Sequence, residues 1–150
     1  MTATLTEVLT ADEMVKVARE QVDAFNGADW DRLRAGLAAD CRYDELGTQR
    51  QVEGHEKIVE LFQGWKTAFP DATGTVTSAV ASGIRVALEV TWKSTHTGPL
   101  GTATGTIAAP GKHQETPAAF FFAFDGARIK ESRHYFDSMT LLKQIGVQPQ

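Results

Sequence analysis

Over residues 84–96 the chain alternates. Even positions carry Ile84, Val86, Leu88, Val90, Trp92, Ser94 and His96, while odd positions carry Arg85, Ala87, Glu89, Thr91, Lys93 and Thr95. Successive strand side chains point to opposite faces, so this pattern predicts a half-buried antiparallel strand with one apolar side. Upstream the period is helical. Met14, Ala18, Val22 and Phe25 recur at one-turn spacing behind a Thr10/Glu13 capping box, and Asn26-Gly27 ends the helix. Asp29 can cap a short second helix presenting Trp30, Leu33 and Leu37. A third helix is predicted over 54–68, with Ile58, Leu61, Phe62 and Trp65 as its apolar stripe. Phe69-Pro70-Asp71 stops it, because proline disfavours helix in the residue before it. Further strands are predicted over 73–82, 100–109, 115–125 and 128–137, with turns at Gly98-Pro99, Pro110-Gly111 and Asp125-Gly126, and a closing helix over 138–145. Helices precede a strand meander, so the fold class is α+β, with helices packed on one face of a curved sheet.

Composition adds limits. The 150 residues show no repeat or linker and read as a single domain, 1–150, with 1–9 as a loose arm. Hydrophobic residues at 42% and charged residues at 23% give a chain able to bury a core without a metal or disulfide staple. Lys and Arg total 15 against 19 Asp and Glu, a net charge of −4 with no basic run. This balance excludes a general electrostatic grip on nucleic acid or anionic membrane. Cys41 is the only cysteine, so an internal disulfide and a zinc site built on several thiolates are excluded; its simplest role is that of a small buried hydrophobe. The start of the chain lacks a signal-peptide pattern, and the apolar stretch 118–124 is too short to span a bilayer. A cytoplasmic protein is expected.

Several polar groups fall on faces that the pattern marks as apolar. His96 shares a side with Val90 and Trp92, where a histidine can trade protons near neutral pH or simply sit hydrogen-bonded at a strand end. In the last strand neither face is cleanly apolar. Ile129, Glu131, Arg133, Tyr135 and Asp137 alternate with Lys130, Ser132, His134 and Phe136. A central strand of this kind implies a polar cavity, because buried charges must be compensated. Asp137 is the leading catalytic carboxylate, and capping the last helix is its competing role. Glu131 and Arg133 can equally pair with each other. The segment 40–45 carries three carboxylates, with Tyr43 and Glu45 on one side; it reads as a solvated edge strand or as a supplier of one acid–base pair. Trp65, Phe69 and Trp92 serve as core or as pocket walls. The common phosphate-binding loops, the nucleophile elbow and the HExxH zinc motif are absent. The histidines show no metal-ligand spacing, so an enzyme here is expected to need no metal and no cofactor.

The segment Val52-Glu53-Gly54-His55-Glu56-Lys57-Ile58, with Trp65 and Phe69-Pro70-Asp71, resembles the SnoaL-like polyketide cyclases of the nuclear-transport-factor-2-like superfamily. So do Thr95-His96-Thr97-Gly98 and the C-terminal run Asp125-Gly126-Ala127-Arg128-Ile129-Lys130-Glu131, Tyr135-Phe136-Asp137 and Gln144-Ile145-Gly146. The resemblance implies a cone-shaped α+β barrel, with a curved mixed or antiparallel sheet wrapped around N-terminal helices and an apolar pocket. It also implies a homodimer through the outer sheet face. By the same resemblance, Asp137 matches the general acid/base of an intramolecular aldol ring closure, and His96 matches a pocket histidine. Arg133 stands where many members have tryptophan, and Ile84 where they have an acid.

The resulting expectation is a small-molecule cyclase acting on an apolar or aromatic carbonyl substrate, with Asp137 and His96 catalytic. Tyr43, Glu45, Trp65, Phe69, Trp92, Arg133 and Tyr135 are the expected substrate-binding residues. Burial in an apolar cavity would raise the Asp137 pKa. Ketosteroid-isomerase chemistry through Glu45, epoxide-hydrolase chemistry through Asp137 with Arg133, and a non-catalytic ligand-binding module are the alternatives.

Overall fold

The computed structural model describes residues 8–97, 100–102, 105–107 and 111–146. The Gly98-Pro99 turn, Pro110 and most of the expected arm lie outside these residues. Helix α1 (Ala11–Asn26) starts with the Thr10/Glu13 capping box, and α2 (Trp30–Ala35) starts with the Asp29 carboxylate accepting from the Arg32 amide. Strand β1 (Leu37–Glu45) follows, then β2 (Arg50–Glu53), which the sequence pattern does not announce, and α3 (His55–Ala68). Strands β3 (Thr73–Ser82) and β4 (Arg85–Thr95) match the period-two segments. The predicted strand over 100–109 is instead two short antiparallel strands, β5 (Leu100–Thr102) and β6 (Gly105–Ile107), forming a separate sheet. Strands β7 (His113–Asp125) and β8 (Arg128–Phe136) lead to α4 (Ser138–Gln144).

The main sheet has the order β2-β1-β8-β7-β4-β3. It is mixed, because β1 runs parallel to β8 while its other neighbours pair antiparallel. It is also open, ending in β2 and β3, so the expected barrel does not close. Helices α1 and α3 cover the inner face, where Val86, Leu88, Val90, Phe120 and Phe122 meet Val22, Phe25 and Ile58 in the core. Ile84 falls in the β3–β4 turn and is exposed, one residue outside the strand it was assigned to.

A β-bulge decides which residues of β8 face inward. Ala123 of β7 pairs with Glu131, while its neighbour Phe124 pairs with Ile129, which leaves Lys130 as the extra residue. One extra residue reverses the parity of everything after it. Ile129 is buried before the bulge, and Ser132 and His134 are buried after it; Glu131, Arg133 and Tyr135 point outward. This shift explains why neither parity looked apolar in the sequence.

Candidate functional site

Between α1, α3 and the inner sheet face lies a pocket with a volume of about 70 Å³. Its walls are mainly aromatic: Phe25, Phe62, Trp65, Phe69, Trp92 and Phe136, with Ala72 and Leu141 completing them. Ser94, Gln114 and Thr116 supply a neutral polar belt on adjacent strands. Gln114 Nε2 donates to Ser94 Oγ at 2.6 Å, and Thr116 Oγ1 donates to Gln114 Oε1 at 2.5 Å. Among the described residues, His134 is the one titratable side chain that lines this pocket.

Neighbouring strands fix His134 closely. Cross-strand register aligns Glu45, His134, Phe120 and Leu88 in a row over four strands. The imidazole stacks on Phe120 with ring centroids 3.9 Å apart and planes 7° apart. Trp92 Nε1 donates to His134 Nε2 at 3.2 Å, and the Tyr43 hydroxyl lies 3.0 Å from Nδ1. Tyr43 in turn donates to Glu45 Oε2 at 2.8 Å, a contact that follows from their shared face two residues apart on β1. Trp65 Nε1 donates to the same oxygen at 2.9 Å. The other oxygen accepts from Thr48 Oγ1 at 2.6 Å and from Arg50 Nη2 at 2.7 Å. The turn between β1 and β2 brings these last two partners back onto Glu45.

Burial sets the charge states. It pulls the His134 pKa down to about 4, against the weaker upward pull of the Glu45 charge, so the ring is neutral at neutral pH. Burial acts to raise the Glu45 pKa as well, but the Thr48 hydrogen bond and the Arg50 charge outweigh it and hold the carboxyl below its ordinary value. Burial followed by the Glu45 charge pushes the Tyr43 hydroxyl well above its ordinary range. Glu45 is therefore ionised and Tyr43 protonated. Cys41 is likewise buried, with its thiol pushed up to about 12 chiefly by burial, in keeping with a structural role.

The residues singled out from the sequence fall in four different places. Trp65, Phe69 and Trp92 line the pocket, and Tyr43 and Glu45 stand behind His134 without lining it. Asp137, Arg133 and Tyr135 lie outside. The Asp137 carboxylate is exposed and caps α4, accepting from the Thr140 amide at 3.1 Å and the Thr140 hydroxyl at 2.6 Å. Those Thr140 hydrogen bonds lower its pKa, the reverse of the rise expected in an apolar cavity. The bulge accounts for Arg133 and Tyr135, which it sends to the outer face, whereas Asp137 lies past the end of β8 as the N-cap of α4. His96 is fully buried behind Phe69, with ring centroids 5.1 Å apart, and is not part of the pocket lining.

Sequence reasoning passed over His134, Gln114 and Thr116 as site residues. Gln114 and Thr116 do share the parity of Phe120, Phe122 and Phe124 in β7, which is the signal that could have found them. Among the described residues, no group of His, Cys, Asp and Glu is arranged to hold a metal ion. Among the described residues, no helix is long and apolar enough to cross a membrane.

No curated protein matches the sequence. Solved structures do share the fold. A protein described as a SnoaL-like polyketide cyclase from Jannaschia sp. CCS1 aligns with a TM-score of 0.82 at 18% identity, covering 93% of this chain and 95% of that one. IdmH, described as a polyketide cyclase from Streptomyces antibioticus, aligns with a TM-score of 0.75 at 25% identity, over 89% of this chain and 99% of its own. An LEH-like epoxide hydrolase from M. tuberculosis aligns with a TM-score of 0.70 at 20% identity, over 90% of each chain. The model of the SnoaL-like polyketide cyclase family matches residues 15–145. That span is most of the protein, and the chain belongs to the SnoaL-like polyketide cyclase family, with the nuclear-transport-factor-2-like fold.

Proposed function

We propose that the protein is a small-molecule cyclase that closes a ring by aldol-type acid–base chemistry, with His134 as the proton carrier. The observation that carries this reading is that His134 alone among the described pocket-lining side chains can titrate, inside an otherwise aromatic and neutral cavity. Asp137, exposed and engaged as a helix cap, does not fill that role.

In the proposed reaction, His134 Nε2 takes a proton from a carbon next to a carbonyl. The C–H bond breaks, an N–H bond forms, and the electron pair moves onto the carbonyl oxygen as an enolate. The enolate carbon then attacks a second carbonyl of the same molecule, and Nε2–H returns its proton to the new alkoxide. While the ring is charged, Nδ1–H donates to Tyr43, whose hydroxyl donates to ionised Glu45, so the positive charge faces a buried negative one. A base with a pKa near 4 is weak. It needs a carbon acid already acidified by two flanking carbonyls, because the α-proton of a simple ketone lies far further from such a base in acidity. The reading therefore favours an aromatic or apolar 1,3-dicarbonyl substrate.

The alternatives have less support. Epoxide hydrolysis through Asp137 and Arg133 needs both in the pocket, and both lie outside it. An isomerase base at Glu45 would have to leave its Arg50 ion pair. A non-catalytic binding module is compatible with the small cavity. Self-association through the outer sheet face is part of the proposal and is supported by the exposed Val80, Phe121 and Tyr135 there.

Exchange of carbon-bound protons in deuterated water tests the chemistry without the natural substrate. An aryl 1,3-diketone should exchange its central protons faster with the wild-type protein than without it, and His134→Gln should abolish the gain. Exchange that survives His134→Gln would overturn the assignment.

A further inference from the structure

The hydrogen-bond chain behind the pocket runs in one direction only. Its outer end is fixed by the Trp92 indole N–H, which can donate but not accept, and which points at His134 Nε2 from 3.2 Å. Nε2 must then offer its lone pair. The inner end is fixed by Glu45. Trp65, Thr48 and Arg50 all donate to this carboxylate, which is ionised and so can only accept. The single Tyr43 proton therefore goes to Glu45 Oε2 at 2.8 Å, leaving the Tyr43 oxygen as an acceptor toward Nδ1 at 3.0 Å. Both ends of the chain demand the same imidazole, protonated at Nδ1 and bare at Nε2.

We infer that the Tyr43–Glu45 pair locks His134 in the Nδ1–H tautomer, so that the pocket presents Nε2 as an acceptor and selects neutral ligands bearing a hydroxyl or enol proton over carboxylates. A carboxylate would meet the Nε2 lone pair, with no cation among the described pocket-lining residues to compensate. A hydroxyl or enol instead donates to Nε2, and this frees the Trp92 N–H to donate to a neighbouring carbonyl oxygen. Trp92 and His134 so form an adjacent donor and acceptor matched to an enolised dicarbonyl or a hydroxyketone. Tyr43 and Glu45 do not line the pocket and act through His134, so they are positioning residues. The inference rests on the pocket being the functional site proposed above, and its test does not depend on turnover.

Long-range proton–nitrogen NMR of the imidazole ring at neutral pH reads the tautomer directly. The wild-type protein should show a protonated Nδ1 and a bare Nε2 for His134, assigned by loss of the signals in His134→Gln. Trp92→Phe should keep this tautomer, because Tyr43 and Glu45 still enforce it, whereas Trp92→Phe combined with Tyr43→Phe should give a mixture. A wild-type ring protonated at Nε2, or a Trp92→Phe ring that switches tautomer while Tyr43 and Glu45 remain, would overturn the lock; the wild-type spectrum decides even if a variant fails to fold. Titration with phenol should move the Nε2 signal at lower concentration than titration with benzoate does, and the opposite order would overturn the selectivity. A protein that shows this tautomer and this preference yet exchanges no carbon-bound protons would remove the catalytic proposal alone.

Discussion

Tyr43 and His134 are 91 positions apart in the chain, yet the tyrosine hydroxyl stands 3.0 Å from Nδ1 of the imidazole. The parallel pairing of β1 with β8 brings them together, and the bulge at Lys130 turns His134 toward that partner. Without the bulge, the opposite parity of β8 would face the pocket, including Arg133, and the aromatic cavity would hold a cation. The chemistry proposed for the protein depends on that single extra residue.

Activity should separate His134 from Asp137. His134→Gln is expected to lower catalysed proton exchange by about 10²–10⁴-fold, the usual contribution of a positioned acid–base group. Asp137→Asn removes a carboxylate that meets Thr140 at the surface, so it should lower the melting temperature slightly and leave exchange near wild type. A full loss of exchange in Asp137→Asn, with normal activity in His134→Gln, would reverse the assignment.

Acid should destabilise the fold in a defined window. An unfolded histidine takes up a proton near pH 6.5, whereas His134 in the folded protein does so only near 4. Between these values the unfolded chain binds the additional proton, so this contribution is complete above the unfolded value and is lost as pH falls toward 4. At about 1.4 kcal/mol per pH unit between the two values, the loss is roughly 3 kcal/mol. Glu45, held below its ordinary pKa, adds a further loss at still lower pH. Urea midpoints measured from pH 7 down to pH 4 check this, and His134→Gln should flatten the upper part of the curve.

Arg50→Met would leave the buried Glu45 carboxylate without its cation, while Tyr43, Trp65 and Thr48 still donate to it. Because Arg50 is itself part-exposed, the expected cost is about 1–3 kcal/mol, the range for a buried group that loses a hydrogen-bond partner. Denaturant unfolding measures it. Restored stability in Arg50→Met combined with Glu45→Gln would show that the unpaired charge is the cause.

Gly74→Ala probes the pocket wall. A Cβ on Gly74 would lie 2.6 Å from the Trp92 ring and 2.9 Å from Val22, both closer than packing permits. Overpacking of this kind costs about 1–3 kcal/mol and should shift Trp92 away from Nε2. The expected readouts are a lower unfolding midpoint and weaker phenol binding. An unchanged midpoint would mean that the ring relocates freely.

Local signals determined the parts list. Thr10 with Glu13, Asp29 before Trp30, and the even-numbered apolar run of β4 fixed helices and strands because capping and side-chain periodicity are short-range effects, legible within a few residues. The order of these elements gave the fold class, and the spaced motifs from Val52 to Gly146 gave the family. The aromatic walls Trp65, Phe69 and Trp92 were legible too, since large apolar side chains on inward parity have few other places to go. The site's chemistry was not legible in the same way. A β-bulge leaves no composition signature, yet it reverses parity, and so Arg133 and Tyr135 went to the surface while His134 went to the pocket; Asp137, past the strand's end, was taken up in capping α4. The Glu45–Tyr43–His134–Trp92 chain joins three strands, and its tautomer and charges arise from burial and hydrogen bonds that only tertiary pairing creates.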